Sequence, residues 1–408
     1  MRLRILKNIS LLLSSNFIGS LLNLLVAPIL TRLYSPESFG YLALYLSIST
    51  VLGITVTLKW ENILFIERNS EDLVLKLTTI SIIISIAFFS IILLSLFYLN
   101  IFLKSLDWIF YLLLYVGLIG LYYYGRSYHS SLGNYKLLSI SYVAKIFVSN
   151  LVFLLTAYVW GESYYFLLIG TIIGQFIETA LLFYKFNWKN FEPIFNFKSI
   201  LTLAKKYKKF LFFTLPGELL GSLNAQLPVY ILSNSYGAVI TGYISLIQRL
   251  FGIPLKLFTS STAEVFRREA ALKWQDQKNY RDLALKTSFY LFLVSLVPAI
   301  ILLLTSHRLI PVLFGTQWSD AVPYLKAMIY LFIFQFTISP ISYGLYISEK
   351  QEVDFIWQLS LLIVCSLAML ITLGFKNALL TIVAYVVSYS IMYIIYFLLI
   401  IKFSKQNA

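Results

Sequence analysis

Charge is what this chain of 408 residues has least of: 12% of its positions are Asp, Glu, Lys or Arg, while 59% are apolar. Soluble domains carry roughly a quarter charged residues, so a monomer of this composition does not dissolve in water. Cysteine is nearly absent too. The single Cys365 lies inside an apolar run, and without a second thiol a disulfide framework is excluded. Acids are few, 18 against 32 Lys and Arg. Also missing are a P-loop, a metal-ligand cluster and a nucleophile constellation, so no ATP hydrolysis and no metal or other cofactor is expected.

Apolar runs of about twenty residues are abundant, and that length crosses ~30 Å of hydrocarbon. A helix satisfies every backbone donor and acceptor within one segment, so lipid admits it. The fold class is therefore all-α, a polytopic membrane protein with twelve spans. They fall near 9–31, 39–60, 75–99, 107–128, 137–160, 163–185, 209–233, 239–263, 284–304, 322–347, 355–375 and 378–402. The first run follows Arg2, Arg4 and Lys7 and continues to Leu30 without a small-residue cleavage site, which favours a retained helix over a signal peptide.

The net charge of +14 resembles a nucleic-acid footprint, but almost all of the basic residues sit in loops between apolar runs, and no nucleic-acid partner is expected. Sorted by side, 24 Lys and Arg fall on one face of the membrane and four (Arg32, Lys104, Arg308, Lys376) on the other. The positive-inside rule then places both termini in the cytoplasm. Trp108, Trp160 and Trp318 are expected at the outer interface, and Trp60, Trp188 and Trp357 at the inner one. The longest outer loop, around Thr305 to Asp320, leaves no room for an extracytoplasmic catalytic domain.

Three segments follow: an N-terminal six-helix bundle over 1–185, a cytoplasmic linker over 186–208, and a C-terminal six-helix bundle over 209–408. The linker mixes Phe, Ile and Leu with clustered Lys. It reads either as an amphipathic helix on an anionic leaflet or as a solvated basic connection. A gapless shift of 202 residues superposes Gly19-Ser20-Leu21 on Gly221-Ser222-Leu223, Tyr34 on Tyr236, and Gly40-Tyr41 on Gly242-Tyr243. An offset of half the chain is what tandem duplication predicts. Six helices per half is an even number, so both halves insert with the same orientation, as parallel repeats do.

The segment LTRLYSPESFGYLALYLSISTVLGITVTLKWENILFIE, Leu30 to Glu67, resembles the first helical hairpin of Wzx-type flippases, polysaccharide-unit exporters of the multidrug/oligosaccharidyl-lipid/polysaccharide superfamily. Tyr207 to Leu255 is similar to their seventh and eighth helices, and the twelve-helix layout agrees along the chain. The resemblance implies a bacterial inner-membrane protein moving an undecaprenyl-diphosphate-linked oligosaccharide from the cytoplasmic to the outer leaflet by alternating access. The setting implied is O-antigen, capsule or lipopolysaccharide synthesis, with membrane lipids, a polysaccharide polymerase and chain-length machinery as partners. Where that family shows Arg-aromatic-Glu at the end of helix 2, this chain has Lys59-Trp60-Glu61, which keeps the charge but loses bidentate phosphate geometry.

Ionisable groups at membrane depth are costly and normally face a bundle interior or wet cavity. Lys145 and Glu178 fall at similar depths on helices 5 and 6, Glu218 and Arg249 on helices 7 and 8, and Lys256 nearer the cytoplasm beyond a kink at Pro254. One reading is a cationic cavity for an anionic headgroup, formed by Arg249, Lys145, Lys256, Lys59 and Arg126. The other is a pair of buried ion pairs, Lys145 with Glu178 and Arg249 with Glu218, with Lys59 and Arg126 snorkelling. Glu218, Glu178 and Glu61 are counterions or coupling acids in these two readings. Asn23, Asn224, Gln226 and Gln248 either contact sugars or link helices. Gly170 and Gly174 suit close helix packing. A cation-coupled multidrug exporter of the same superfamily is the first rival, weakened by a first helix without a carboxylate. A membrane-embedded polymerase or glycosyltransferase is the second, weakened by Asp107 and Asp320 standing alone near the outer surface.

Overall fold

Every span that the hydropathy pattern predicts is helical. The computed structural model describes residues 2–67, 70–98, 106–186 and 197–405, apart from the side chains of residues 2–13, 106, 253, 254, 256 and 257. Arg68, Lys104, Trp188 and the first part of the linker therefore lie outside the described residues, as do the side chains of Pro254 and Lys256.

The helices are α1 (Arg2–Leu33), α2 (Pro36–Val56), α3 (Glu71–Tyr98), α4 (Leu106–Ser131), α5 (Tyr135–Trp160), α6 (Tyr164–Tyr184) and α7 (Phe197–Lys206). They continue as α8 (Leu215–Tyr236), α9 (Ala238–Gln277), α10 (Arg281–Phe314), α11 (Val322–Ile338), α12 (Gly344–Ile347), α13 (Gln351–Leu373) and α14 (Ala378–Phe403). Among the described residues ten helices are long and apolar enough to cross a membrane. The remaining two spans are α8, which carries Glu218, Asn224 and Gln226, and α9, whose apolar part ends at Gly252. The chain is an all-α polytopic membrane protein.

Two compact units divide the described chain: residues 1–34 with 42–222, and residues 35–41 with 223–408. In the first unit α5 packs on α1 and α6, α6 on α4, and α4 on α3. A 3-10 helix, Trp60–Phe65, turns back beneath α3 and α4. The short helix α7 buries Ile200 and Leu203 against Trp60, Ile63, Leu64 and Tyr128. Ile200 and Leu203 thus face protein, on an apolar shelf left by the 3-10 helix, while Phe197 and Leu201 of the same helix stay exposed. Lys206 Nζ lies 2.9 Å from Glu67 Oε2 and ties α7 down. That hydrogen bond holds the Glu67 carboxyl below its usual range.

In the second unit α14 packs on α11 and α13, and α10 on α11. Residues 35–41 belong here, and they make the duplication visible. A methyl group built on Gly40 would overlap the Ala238 carbonyl oxygen, and one on Gly242 would overlap the Pro36 carbonyl oxygen. Ala238 lies 202 residues beyond Pro36, as Gly242 does beyond Gly40. The two helix starts therefore exchange equivalent contacts, and only hydrogen fits at either glycine. Tyr34 and Tyr236 also keep equivalent positions, each closing a first helix of its half. Tyr34 Oη donates to the Phe153 carbonyl at 2.8 Å, and Tyr236 Oη lies 2.8 Å from Thr381 Oγ1.

The expected outer loop around Thr305 to Asp320 is not a loop. Helix α10 runs on to Phe314 and a 3-10 turn spans Thr316–Ala321, because Ile310 and Phe314 repeat at helical spacing and are buried. Trp318 is completely buried, its ring 5.3 Å edge-on from Phe39, so it plugs a core and does not mark the interface. Trp60, Trp108 and Trp357 are buried as well. Trp60 and Trp357 satisfy their N–H groups inside, on Ser81 Oγ at 3.0 Å and the Met392 carbonyl at 2.8 Å. Trp160 alone of these, 68% exposed, fits the interfacial expectation.

Candidate functional site

The charged groups of the first unit are gathered by three local devices. Gly174 permits the first: a methyl there would come within 2.8 Å of the Lys145 carbonyl oxygen, and one on Gly170 within 2.6 Å of Phe153. Close approach of α6 to α5 then sets Glu178 beside Lys145. Lys145 Nζ stands 3.1 Å from Glu178 Oε2 and 2.5 Å from Gln175 Oε1. The pair is asymmetric, since the lysine side chain is 25% exposed and the glutamate 2%.

The second device is on α4. Tyr122 and Tyr123 hold their rings 5.6 Å apart, with Lys145 5.6 Å over Tyr122 and Lys59 4.9 Å over Tyr123. Arg126, one turn along, donates from Nη1 to the Tyr122 hydroxyl at 2.5 Å and is itself exposed. Cation–π attraction of this kind strengthens where water is excluded.

The third is a backbone reversal after α2. Leu58 and Lys59 take left-handed φ values of 51° and 65°, a conformation costing about 1–2 kcal/mol per non-glycine residue. The reversal buries Lys59, whose Nζ lies 2.6 Å from Glu218 Oε2 and 3.9 Å from Glu61 Oε1. Glu61 is buried, and its Oε2 finds no hydrogen bond among the described residues. Burial pushes the Glu61 carboxyl up, against the opposing pull of Lys59 and Thr57, while Glu218 adds to the rise. Glu218, at 2.6 Å, is the nearer of the two carboxyl groups to Lys59.

One of the two readings pairs Glu218 with Arg249; within its own unit Glu218 is held by Lys59. Both helices start or end at the turn around Gly237, so depth can be counted from there. Glu218 lies about 27 Å down α8 from that turn and Arg249 about 16 Å down α9, at 1.5 Å per residue. The further drop takes Glu218 to the level of Lys59.

Arg249 belongs to the second unit. Its guanidinium sits 5.2 Å from the Phe39 ring, and no carboxylate lies within ion-pair distance among the described residues. Lys256 is carried two turns further along α9, its side chain outside the description. Of the amides considered as sugar ligands, Asn23 accepts from Asn150 Nδ2 at 3.0 Å, and Asn224 donates to the Gln358 carbonyl at 3.0 Å. Both join helices. Gln226 and Gln248 are half-buried and show no hydrogen bond among the described residues.

One buried acid escaped the sequence reading. Asp354, in the first turn of α13, accepts from Tyr396 Oη, from Tyr346 Oη at 3.0 Å and from Gln358 Nε2 at 2.8 Å. No base reaches it among the described residues. Its signal was present, an acid at i and an amide at i+4, but it fell one residue before the apolar run that marked the helix.

Residues 29–323 match a protein family described as polysaccharide biosynthesis protein. No curated protein is matched by the sequence. Among solved structures, the fold is similar to a lipid II flippase, MurJ, in an inward closed conformation, with TM-score 0.75 and 16% identity over 96% of this chain and 87% of that one. It is also similar to an inward-facing multidrug resistance MATE transporter of the MOP superfamily, with TM-score 0.71 and 13% identity over 97% and 96%. A MOP superfamily transporter from Pyrococcus furiosus gives TM-score 0.60 and 14% identity over 98% and 97%.

Proposed function

We infer the function from one premise: the chain belongs to the polysaccharide biosynthesis protein family. It is a membrane transporter of the flippase kind. Its cargo is an undecaprenyl-diphosphate-linked oligosaccharide repeat unit, taken from the cytoplasmic to the outer leaflet of the bacterial inner membrane by alternating access. Both termini are cytoplasmic in this reading, as the loop charges require.

The observation that carries the cargo assignment is Arg249. A guanidinium deep on a membrane helix is costly unless something compensates it. Here the protein supplies an aromatic face and no carboxylate among the described residues, which suits a site whose counterion arrives with the substrate. A diphosphate supplies that counterion. Lys145, Arg126 and Lys59 line the first unit on the same logic, although Lys145 and Lys59 already hold glutamates. With the cytoplasm negative, each negative charge moved outward gains about 2.3 kcal/mol per 100 mV, so the potential drives such a cargo without a proton site.

Arg249→Ala tests the assignment in a deletion strain complemented with the variant. Lipid-linked repeat units should accumulate on the cytoplasmic face while protein abundance stays near that of the parent. Normal surface polymer in that strain would sink the cargo assignment. A second reading, cation-coupled multidrug export, draws on Asp354, a buried carboxylate with hydroxyl and amide donors and no base among the described residues. Drug sensitivity with normal polymer in the deletion strain would favour it.

A further inference from the structure

Lys59 is a cation with a removable partner. Its side chain is 6% exposed, yet the carboxylate it grips at 2.6 Å belongs to a side chain that is 45% exposed. Behind that carboxylate the chain is loosely seated. A methyl group on Gly217 would meet nothing within 4 Å. Phe210–Thr214 form a π-turn, a geometry that weakens the regular helical ladder. Pro216 follows, and its missing amide leaves the Phe212 carbonyl without its usual helical donor. Lys59, by contrast, is held by the left-handed backbone at Leu58 and Lys59 and by the Tyr123 ring. The cation is fixed and its anion is hinged.

We propose that Glu218 occupies, in place of the cargo, a phosphate-binding site whose fixed element is Lys59, and that an arriving diphosphate displaces it. The site rests on the flippase reading and adds to it an internal competitor. Phosphate oxygens form charge-assisted hydrogen bonds with an ammonium as carboxylates do, with more acceptors and more charge. Glu61 sits on the buried side at 3.9 Å, so the exposed side of Lys59 is the one an arriving anion reaches. Displacement also unties the first turn of α8 from the corner that follows α2. Headgroup arrival and release of that helix are then a single event, and an empty transporter keeps its own cation neutralised.

The sign of the test is unusual for a residue at a binding site. In the full-length chain, in nanodiscs of zwitterionic lipid, Glu218→Gln should bind undecaprenyl diphosphate about 1.5- to fivefold more tightly than the parent, the range for losing one half-exposed ion pair to a competitor. Glu218→Ala should shift in the same direction, and adding Lys59→Gln to either should erase the gain. A matching gain for inorganic pyrophosphate supports a site open to water; a gain confined to the lipid probe supports entry of a headgroup from the bilayer. Unchanged or weaker binding in both Glu218 variants, with normal size-exclusion profiles, overturns the proposal. Failure of the flippase reading looks different: the parent and Arg249→Gln would then bind undecaprenyl diphosphate equally poorly, whatever stands at 218.

Discussion

Replacing Gly40 by alanine puts a methyl group where the backbone of Ala238 already is. That carbon would lie 2.6 Å from the Ala238 carbonyl carbon and 2.9 Å from its Cα, against 3.4 Å or more in ordinary contact. The helix starts must therefore separate by at least about 0.8 Å, further for the carbonyl oxygen, and backbone cannot rotate away as a side chain does. Overpacking costs about 1–3 kcal/mol, and a backbone clash belongs at the upper end. Helix propensity returns about 1 kcal/mol on going from glycine to alanine, which leaves a net loss near 2 kcal/mol. Gly242→Ala should behave alike, since its methyl would lie 2.8 Å from the Pro36 carbonyl carbon. The double variant is the sharper test. Once one methyl has parted the helices the second finds room, so the losses should be clearly less than additive, as expected for residues in one contact. Gly217→Ala serves as the control, because its methyl meets open space. Tryptophan-fluorescence melting in detergent reads all four. Single variants melting with the parent, or strictly additive losses, would refute the claim that residues 202 apart share this crossing.

Two other outcomes follow from the ion pairs. Glu178→Ala should lower thermal stability more than the double change Glu178→Ala with Lys145→Ala, because the single variant strands a mostly buried ammonium; a loss of about 1–3 kcal/mol is expected, discounted for the quarter exposure of Lys145, and equal melting of single and double variants would contradict the pairing. Docking of α7 should loosen at low pH. The Glu67 carboxyl is depressed by Lys206, so its contribution is present above the ordinary carboxylate pKa and is lost as pH falls through the lower folded value. Lys206 is raised by the same bond, so its share persists from neutral pH up to the ordinary lysine range and fades as pH rises beyond it. Hydrogen exchange over residues 197–206 should therefore be flat between pH 6 and 8 after correction for intrinsic rates, and protection should drop only in acid, below the ordinary carboxylate range; a change centred near neutrality would rule this bond out as the cause.

Much of the site could be read from residue types alone, and the failures share a cause. Lys145 and Glu178 were expected on one hairpin because adjacent antiparallel helices place residues at matching distances from their turn. Counting of that kind leaves the partner of Glu218 open, and the backbone reversal after α2 supplies Lys59. Composition places Trp318 at the interface, but Phe39 and Tyr243 close around it. The role of Asp354 is not legible in the sequence, because a charged residue at a helix start looks solvated until Tyr346, Tyr396 and Gln358 fold onto it.

By itself the sequence determined that this chain lives in a bilayer, that it crosses as helices, and that its halves are copies. Those are consequences of transfer free energy and backbone hydrogen bonding, which act segment by segment and need no knowledge of neighbours. Tertiary structure alone decided which charge meets which. A side-chain partner depends on depth, helix rotation and the left-handed turn at Leu58 and Lys59, and errors of one residue in any of these move a carboxylate by more than the 4 Å over which an ion pair holds.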